Sequence, residues 1–556
     1  MRKENPTPDF ASLEKEMLKF WESEKCFEKL VEKNKDGERF RFLDGPITAN
    51  NPMGIHHAWG RAMKDMYIRY NAMLGKSCQY QNGFDSQGLW VEVETEKDLG
   101  IREKSDIVKY GVDKFTEKCM ERVKKFAGVI TEQSKRLGQW MDWDNSYFTN
   151  TDLNITSIWH FLKKCNEKGW LEKKHRPMPW CPRCGTSLSE HEMTGSYKDV
   201  EHLSIFAKLP IIGMDAKIVL WTTTPWTLTS NAALAVNPNI DYVKVKVKSD
   251  ELPLIVGTGA IGKLKGDILE VGQPFKGAEL VGKEYKTCFE DFEVQNFPHK
   301  IYPWEDVDAT EGTGVVHIAP GCGTEDFELG LKHGIPAICP INDEGIIIEG
   351  FGEFTGMHTN ELVQKVVDTL KSQNKLYKTE MYTHSYPHCW RCKTPVVFKL
   401  VDEWNIKTDE IRPLMIAAAE TVKWEPDYGE KRMVDWLNNM GDWNISRKRF
   451  YGLPLPFYIC KKCGHLTVIG SKEELIEKSE FGNIDGVPHL HKPYIDSIRI
   501  HCENCGELVE RVPEVGDCWL DAGITPFSTK KYFSDKKSFE KNFPSDLVLE
   551  MKEQIR

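Results

Sequence analysis

The stretch that decides the fold runs from residue 44 to residue 58 and reads DGPITANNPMGIHHA. A strand-like run, 40–43, precedes it, and a helix is predicted to begin near His56. This order of strand, Pro- and Asn-rich loop and helix is typical of an open α/β nucleotide-binding fold, whose ligand lies at the carboxyl end of the strand and the helix N-terminus. The stretch therefore predicts the start of an open α/β fold. The apolar stripe expected on the helix consists of Met63, Met66, Tyr67, Tyr70 and Leu74.

The totals of the sequence bound the class of protein. A chain of 556 residues is too long for a single hydrophobic core, and its length implies about three to four domains. The net charge of −10 provides no global basic field for nucleic acid, although a local basic face fits within an acidic total. The N-terminus lacks an apolar signal segment, and no run approaches the ~20 apolar residues of a membrane span. We therefore expect a cytoplasmic protein without a membrane partner.

The cysteines predict two structural zinc sites. The 16 cysteines include four Cys-x-x-Cys pairs. These pairs are Cys181/Cys184, Cys389/Cys392, Cys460/Cys463 and Cys502/Cys505. In a reducing compartment such pairs favour Zn²⁺, which binds four thiolates in a tetrahedron, over disulfides. We expect the first two pairs to share one ion and the last two to share another, the alternative being free thiols in the core.

If the first two pairs share a metal, the chain between them is an insertion that leaves one body and returns to it. Gly- and Pro-rich turns and alternating strands such as 243–247 indicate that this insertion is β-rich. The predicted domains are an N-terminal helical segment at 1–40, a first nucleotide-fold half with the first zinc knuckle at 41–195, the insertion at 196–385, and the returning half at 386–556 with a zinc-ribbon insert at 457–510.

Five blocks in order carry a family resemblance. They are 44–58, 221–228, 312–327, 386–395 and 442–449. The first resembles the ATP-binding signature of the class I aminoacyl-tRNA synthetases. The second and third resemble the editing motifs of the isoleucyl, valyl and leucyl group, and the last two are closest to the isoleucyl form. The resemblance covers essentially the whole chain. It implies an α/β Rossmann-type catalytic domain split by an inserted β-rich editing domain, with zinc-ribbon inserts.

The resemblance also implies substrates and residue roles. It implies ATP with Mg²⁺, isoleucine and an isoleucine-accepting tRNA as substrates, two structural Zn²⁺ ions, a monomer, and hydrolytic editing of misacylated tRNA. The residues implied for ATP or adenylate binding are Pro46, Asn50, Gly54, His57, Glu550 and Gln554, with His56 and His57 catalytic. Those implied for amino-acid binding are Asp85 and Gln87. Those implied for editing are Thr222, Thr223, Thr224, His317 and Asp326, of which Asp326 anchors the amino group.

Two departures from the family pattern affect the expected activity. The family's His-Ile-Gly-His motif is replaced by Gly54-Ile55-His56-His57. The family's Lys-Met-Ser-Lys-Ser loop does not occur in the sequence, and neither does its helical anticodon-binding domain. We therefore expect a truncated chain with most of the amino-acid pocket, part of the ATP site and a complete editing domain. Such a chain should fail at efficient activation.

Other interpretations account for parts of the sequence. The runner-up substrates are valine and leucine. The altered 54–57 motif and the missing loop favour an editing or deacylating protein without activation activity. A zinc-ribbon nucleic-acid binder explains the cysteines and nothing between residues 40 and 100. Locally, the Thr-rich run 222–224 could be a plain strand, Asp326 a helix N-cap and Asp85 a solvent-facing turn residue.

Overall fold

The computed structural model describes residues 9–193, 195–264 and 268–551. The chain forms two compact units. Unit 1 consists of Met1–Glu172 and Trp404–Arg556, and unit 2 of Lys173–Glu403. The predicted insertion, 196–385, lies inside unit 2, which extends further at both ends. Two strands, Leu171–Cys181 and Val397–Ile406, carry the chain from one unit to the other and back.

Unit 1 begins with two helices where the sequence predicts one over residues 10–34. They break at Lys25, whose φ of 49° is left-handed. The helices of unit 1 are Phe10–Ser23, Cys26–Lys33, Ile55–Met73, Leu89–Leu99, Lys104–Tyr110, Val112–Arg136, Asp152–Glu167, Arg412–Glu420, Tyr428–Asn439, Lys472–Lys478, Cys518–Gly523, Thr525–Ser528 and Lys536–Asn542, with a 3₁₀ turn at Tyr494–Ser497. None of the helices in the described ranges has the length and apolar character that a membrane crossing requires.

The short strands at the start of unit 1 pair in parallel. Residues 39–40 pair with 77–78, 42–43 with 547–548, 47–48 with 84–85, and the strand Gln81–Asp85 also pairs with Asp142–Phe148. The remaining strands of this unit are Trp443–Asn444, Ser446–Arg447, Phe457–Ile459, Leu466–Val468, Ile500–His501, Leu508–Val509 and Val515–Gly516. Within each parallel pair the carboxyl ends of strands that are separated in sequence lie side by side.

The apolar stripe of the helix Ile55–Met73 is not the face that the protein buries. Met66 is 57% exposed and Tyr70 is 61% exposed. The buried face instead carries Arg61, Lys64, Ile68, Asn71 and Ala72. The reason is electrostatic: Arg61 donates to the side chains of Asn82 and Gln139, and Lys64 donates to Asp44. These polar partners come from other segments, so the helix turns its charged side inward.

Unit 2 is built on a large mixed sheet, which agrees with the prediction that the insertion is β-rich. The strand order is Ile268–Val271, Asp241–Val247, Leu254–Gly257, Lys217–Thr222, Val315–Ile318, Ala233–Val236 and Lys300–Pro303. Tyr197–Pro210 pairs antiparallel with Lys217–Thr222 and with Leu376–Pro387. Two further short strands are Thr186–Ser187 and Phe275–Lys276. The helices are Glu190–Met193, Thr324–His333 and Thr359–Ser372, with 3₁₀ turns at Pro225–Ser230, Thr258–Leu264, Gly277–Glu279, Glu293–Gln295 and Gly352–Phe354.

Candidate functional site

In unit 1, Asp44 anchors the loop that follows the strand 42–43. Its carboxylate accepts hydrogen bonds from Lys64 Nζ at 2.6 Å and from the backbone N–H of Gly83 at 2.9 Å. Both Asp44 and Lys64 are buried. Lys64 also donates to the carbonyl of Gly45 at 3.3 Å. A buried ion pair with additional backbone bonds is well placed to hold the loop in one conformation.

Glu550 lies directly against Gly45. A Cβ on Gly45 would fall inside the Glu550 carboxylate, so this position has no room for a side chain. Burial raises the pKa of Glu550, while Lys64 partly offsets the shift. The two predicted adenylate segments, Pro46 and its neighbours on one side and Glu550 on the other, therefore meet at the ends of paired strands. The predicted Gln554 lies outside the described residues.

The side-chain amide of Asn50 forms hydrogen bonds within the protein through both its nitrogen and its oxygen. Its amide donates to the carbonyl of Trp90 at 3.0 Å, and its Oδ1 accepts from Arg122 Nε at 2.7 Å. The Arg122 guanidinium also donates to the Asn50 backbone carbonyl. Asn50 therefore fixes the shape of the Asn-rich loop.

His57 is held in one tautomer at the start of the helix Ile55–Met73. The backbone N–H of Gly54 donates to His57 Nδ1 at 3.1 Å, so in the neutral ring the proton resides on Nε2. Burial, His56 and Arg61 lower the pKa of His57 to about 4. His57 therefore presents a neutral N–H donor at neutral pH.

His56 occupies the space beside Gly54. Its ring lies 3.8 Å from the ring of His57, and its Cε1 would be 2.8 Å from a Cβ placed on Gly54. His56 therefore places an imidazole ring directly beside residue 54. Two imidazoles remain together at this helix start.

The predicted amino-acid pocket contains a buried polar network. Asp85 accepts hydrogen bonds from the hydroxyls of Thr48 and Thr149, each at 3.2 Å. The Gln87 amide donates to Asp521 Oδ1 at 2.7 Å, and its carbonyl oxygen accepts from His491 Nε2 at 2.7 Å. Burial, together with the negative charge of Asp85, raises the pKa of Asp521 well above its usual range. Asp521 Oδ2 has no hydrogen-bond partner among the described residues.

His491 and Asp521 were not among the predicted site residues. Each lies more than 400 residues from Gln87 in the chain, with separations of 404 and 434 residues. Asp521 follows a Trp-Leu pair that gives it no polar signature, and His491 precedes an unremarkable Lys-Pro-Tyr run. The only signal was Gln87 itself, a buried amide that needs partners at both ends.

In unit 2, a cavity of about 390 Å³ brings together all five residues predicted for editing. Its walls include Thr222, Thr223, Thr224, His317 and Asp326. Additional lining comes from Thr227 and Cys322, from the aromatic rings of Trp221 and Trp304, and from the acidic residues Asp306, Asp308 and Glu311. The cavity is therefore amphipathic, with hydroxyls on one side and an acidic rim.

Asp326 is a desolvated carboxyl in this cavity. Its Oδ2 accepts from the backbone N–H of Ala319 at 2.7 Å. Burial raises its pKa to about 6. The alternative that Asp326 is a helix N-cap is wrong, because the helix Thr324–His333 is preceded by Gly323 as N-cap and Asp326 lies in its first turn. A buried carboxylate of this kind gains most from a cationic ligand.

His317 is buried between two polar partners. Its Nδ1 lies 2.8 Å from the Asn231 amide nitrogen, and its Nε2 lies 3.0 Å from the Thr227 hydroxyl. Burial lowers the pKa of His317 to about 4. The hydroxyl of Thr224 is 3.3 Å from those of both Thr222 and Thr227. Thr227 belongs to the Thr-rich block but was not predicted to be a site residue.

The cysteines form the two predicted groups. The first contains Cys181, Cys184, Cys389 and Cys392, and the second contains Cys460, Cys463, Cys502 and Cys505. Within each group the four sulfurs lie within 4.8 Å of one another. In the first group the sulfurs of Cys181 and Cys392 are 3.4 Å apart, and in the second those of Cys460 and Cys505 are 3.5 Å apart. Four thiols at this spacing fit a tetrahedral Zn²⁺ with no open coordination position.

Comparison with known proteins gives consistent matches. The family model of the class I tRNA synthetases (I, L, M and V) matches residues 16–556. The isoleucine–tRNA ligase of Clostridium novyi (strain NT) is 41% identical over 556 residues, which cover 99% of this chain and 53% of the relative. That of Methanothermobacter marburgensis is 36% identical, covering 98% of this chain and 52% of the relative. The chain thus spans about half the length of these curated relatives.

Among solved structures, a LeuRS of Agrobacterium radiobacter K84 in a ternary complex with tRNA and LeuAMS is similar at 14% sequence identity. The alignment covers 97% of this chain and 62% of that chain, with a TM-score of 0.42.

Proposed function

Because the chain belongs to the class I tRNA synthetases for I, L, M and V, we propose that it is the activating and editing part of an isoleucine–tRNA ligase. Relatives carrying that name are 36–41% identical over nearly the whole chain, which favours isoleucine over valine or leucine. In this proposal unit 1 is the Rossmann-type catalytic domain and unit 2 is the editing domain inserted into it. The whole ligase, acting as a monomer, uses ATP with Mg²⁺, isoleucine and its tRNA.

In the activation site, each described residue has a physical task. Asp44 and Lys64 hold the loop, so that Pro46 and Gly45 can approach the adenylate beside Glu550. The imidazoles of His56 and His57 donate hydrogen bonds to phosphate oxygens, where negative charge develops as the α-phosphorus is attacked. Asp85 binds the α-ammonium group of the amino acid, for which a fixed carboxylate is required. Mg²⁺ supplies charge neutralisation at the phosphates.

The observation that carries the editing function is the single cavity shared by Thr222–Thr224, His317 and Asp326. One methylene distinguishes isoleucine from valine and is worth only about 1–3 kcal/mol in a hydrophobic pocket. Accurate translation therefore needs a second site that hydrolyses valine misattached to an isoleucine-accepting tRNA. In this cavity the Asp326 carboxylate binds the ammonium of the misattached residue, and the threonine hydroxyls surround its ester.

Each of the two cysteine groups is proposed to bind one structural Zn²⁺. Every coordination position of a tetrahedral ion is filled by a thiolate, so neither ion is available to bind substrate. Each ion would join two Cys-x-x-Cys segments that are separated in sequence.

Replacing Asp326 with asparagine tests the editing function. The purified chain is expected to hydrolyse an isoleucine-accepting tRNA misacylated with valine, and Asp326→Asn should lower kcat/KM roughly 10- to 150-fold, the equivalent of about 1.5–3 kcal/mol for a lost charged hydrogen bond. The exposed neighbour Glu325 provides the matched control, because Glu325→Gln removes one charge without touching the cavity. Equal rates for the two variants would contradict the assignment, and no hydrolysis by the parent chain would contradict the editing function.

The pH dependence of the same reaction gives a second prediction. With a pKa of about 6, the Asp326 carboxyl is ionised at pH 7 and neutral at pH 5. Deacylation at low substrate concentration should therefore fall as pH is lowered through about 6. The contribution of this group to stability has the opposite sign: a raised pKa in the folded protein stabilises it at low pH, and this contribution is lost as pH rises through about 6. The activity step near pH 6 should vanish in Asp326→Asn.

A further inference from the structure

A chain of hydrogen bonds behind the cavity of unit 2 determines which nitrogen of His317 carries its proton. The Asn231 Nδ2 donates to the carbonyl of Ala233 at 2.9 Å and to His317 Nδ1 at 2.8 Å. A backbone carbonyl can only accept, so it identifies this end of the Asn231 side chain as the NH₂ group. At the other end, Asn231 Oδ1 accepts from the hydroxyls of Tyr285 at 2.7 Å and Thr287 at 3.0 Å.

The proton of the neutral His317 ring therefore resides on Nε2. Because Nδ1 accepts a hydrogen bond from Asn231, its lone pair is occupied and the other nitrogen must carry the hydrogen. Nε2–H then donates to the Thr227 hydroxyl oxygen at 3.0 Å, and that hydroxyl in turn donates to the carbonyl of Thr224 at 2.8 Å. Asn231, Tyr285, Thr287, His317 and Thr227 are all buried.

From this geometry we propose that Asn231 is a positioning residue that locks His317 as a hydrogen-bond donor, so that His317 orients the threonine turn and does not act as the base of hydrolysis. The inference rests on the proposed editing function, which it deepens. A base must offer a lone pair to the proton of the attacking water. Neither ring nitrogen of His317 can do this. Nδ1 already accepts from the Asn231 amide, and Nε2 carries the proton that faces Thr227.

The consequence for the cavity is a fixed direction of hydrogen bonding. The Thr227 hydroxyl donates its single proton to the carbonyl of Thr224, and its oxygen accepts a hydrogen bond from His317. The hydroxyls of Thr222 and Thr224 line the cavity 3.3 Å from each other, and Thr222 Oγ1 also accepts from the backbone N–H of Thr224 at 3.1 Å. The network thus presents the same two hydroxyls to every substrate. Because these groups are already oriented in the folded protein, no reorganisation energy is needed during the reaction.

A matched pair of variants separates donor from base. The amide nitrogen of a glutamine can occupy the place of His317 Nε2 and donate to Thr227, whereas a glutamate of the same shape can only accept when ionised. We therefore expect His317→Gln to lose less deacylation activity than His317→Ala, and His317→Glu to lose about 10²-fold relative to the parent chain, the usual cost of one preorganised donor. If His317 were the base, His317→Gln would be as inactive as His317→Ala, and this result in a folded variant would overturn the proposal.

The tautomer itself can be measured without reference to activity. In the chain labelled with ¹⁵N-histidine, two-bond ¹H–¹⁵N correlation spectra at pH 7 should show His317 as the Nε2–H tautomer, assigned by its absence in His317→Gln. Asn231→Asp places an acceptor at Nδ1 and should move the proton to that nitrogen or protonate the ring fully. An Nδ1–H tautomer in the parent chain would overturn the proposal. If the parent chain hydrolyses no misacylated tRNA, the editing function fails, while this spectrum still decides the tautomer.

Discussion

Replacing Cys181 with alanine is expected to remove one of two bound zinc ions and to lower the melting temperature of unit 2 sharply. Cys181 is fully buried, and its sulfur lies 3.4 Å from that of Cys392. Structural zinc ions contribute about 10–16 kcal/mol of apparent binding free energy in small zinc-finger peptides. Unit 2 has a hydrophobic core of its own, so part of that energy should be dispensable. The loss should still exceed that of any single core truncation.

The measurement is zinc content by elemental analysis together with thermal unfolding. The parent chain should hold two ions, Cys181→Ala one, and the double variant Cys181→Ala/Cys460→Ala none. Cys26→Ala, which lies outside both groups, is the matched control and should keep both ions. A parent chain that binds no zinc, or a Cys181→Ala variant that keeps two ions, would contradict the assignment.

Replacing Arg449 with methionine is expected to lower the free energy of unfolding of unit 1 by about 3–5 kcal/mol, because it leaves buried carboxylates without their cation. The Arg449 guanidinium donates to both Glu92 and Glu96, and all three side chains are buried. Glu92 also accepts from the backbone N–H groups of Phe450 and Tyr451. Burial raises the pKa of Glu92. Because the unpaired carboxylates can take up protons, the deficit should shrink at lower pH.

Urea denaturation at pH 7 and pH 5 measures this effect. The control is Arg499→Met. Arg499 pairs with Glu480 through two hydrogen bonds of 2.9 Å, but its side chain is 45% exposed. Exposed pairs contribute about 0–1 kcal/mol, so the control should cost little at either pH. A similar loss for both arginines would show that burial does not set the strength of the Arg449 bridge.

Features could be predicted from the sequence where the chemistry of a residue type allows only a few kinds of partner. Four cysteine pairs can satisfy Zn²⁺ in few ways, and the structure groups them as expected. The helix Thr359–Ser372 can be predicted from the sequence, because Leu362, Val366 and Leu370 recur at helical spacing and pack on the core of unit 2. The Thr-rich block and the 312–327 block meet in one cavity, since neighbouring strands of one sheet carry them.

The failures occur where partners come from distant segments. Hydrophobic spacing put the wrong side of the helix Ile55–Met73 inward, because nothing in that helix reveals that Asp44 and Asn82 are available to Lys64 and Arg61. For the same reason His491 and Asp521 were missed. Asn231 lies shortly after the Thr-rich block 221–228, but its hydrogen bonding depends on Tyr285 and Thr287, which follow at separations of 54 and 56 residues.

The pairing of the strand Phe42–Leu43 with Leu547–Val548 sets an order of events during synthesis on the ribosome. Arg41 and its partner Asp546 are separated by 505 residues, so at about 5–20 residues per second the second emerges roughly 25–100 s after the first. All of unit 2 emerges in that interval. Once folded, it shortens the flexible loop between the two strands, and each halving of such a loop is worth about 0.6 kcal/mol of closure entropy. The nascent chain can therefore complete unit 2 before the Gly45–Glu550 contact forms, and of the first three strands only Phe42–Leu43 waits that long for its partner.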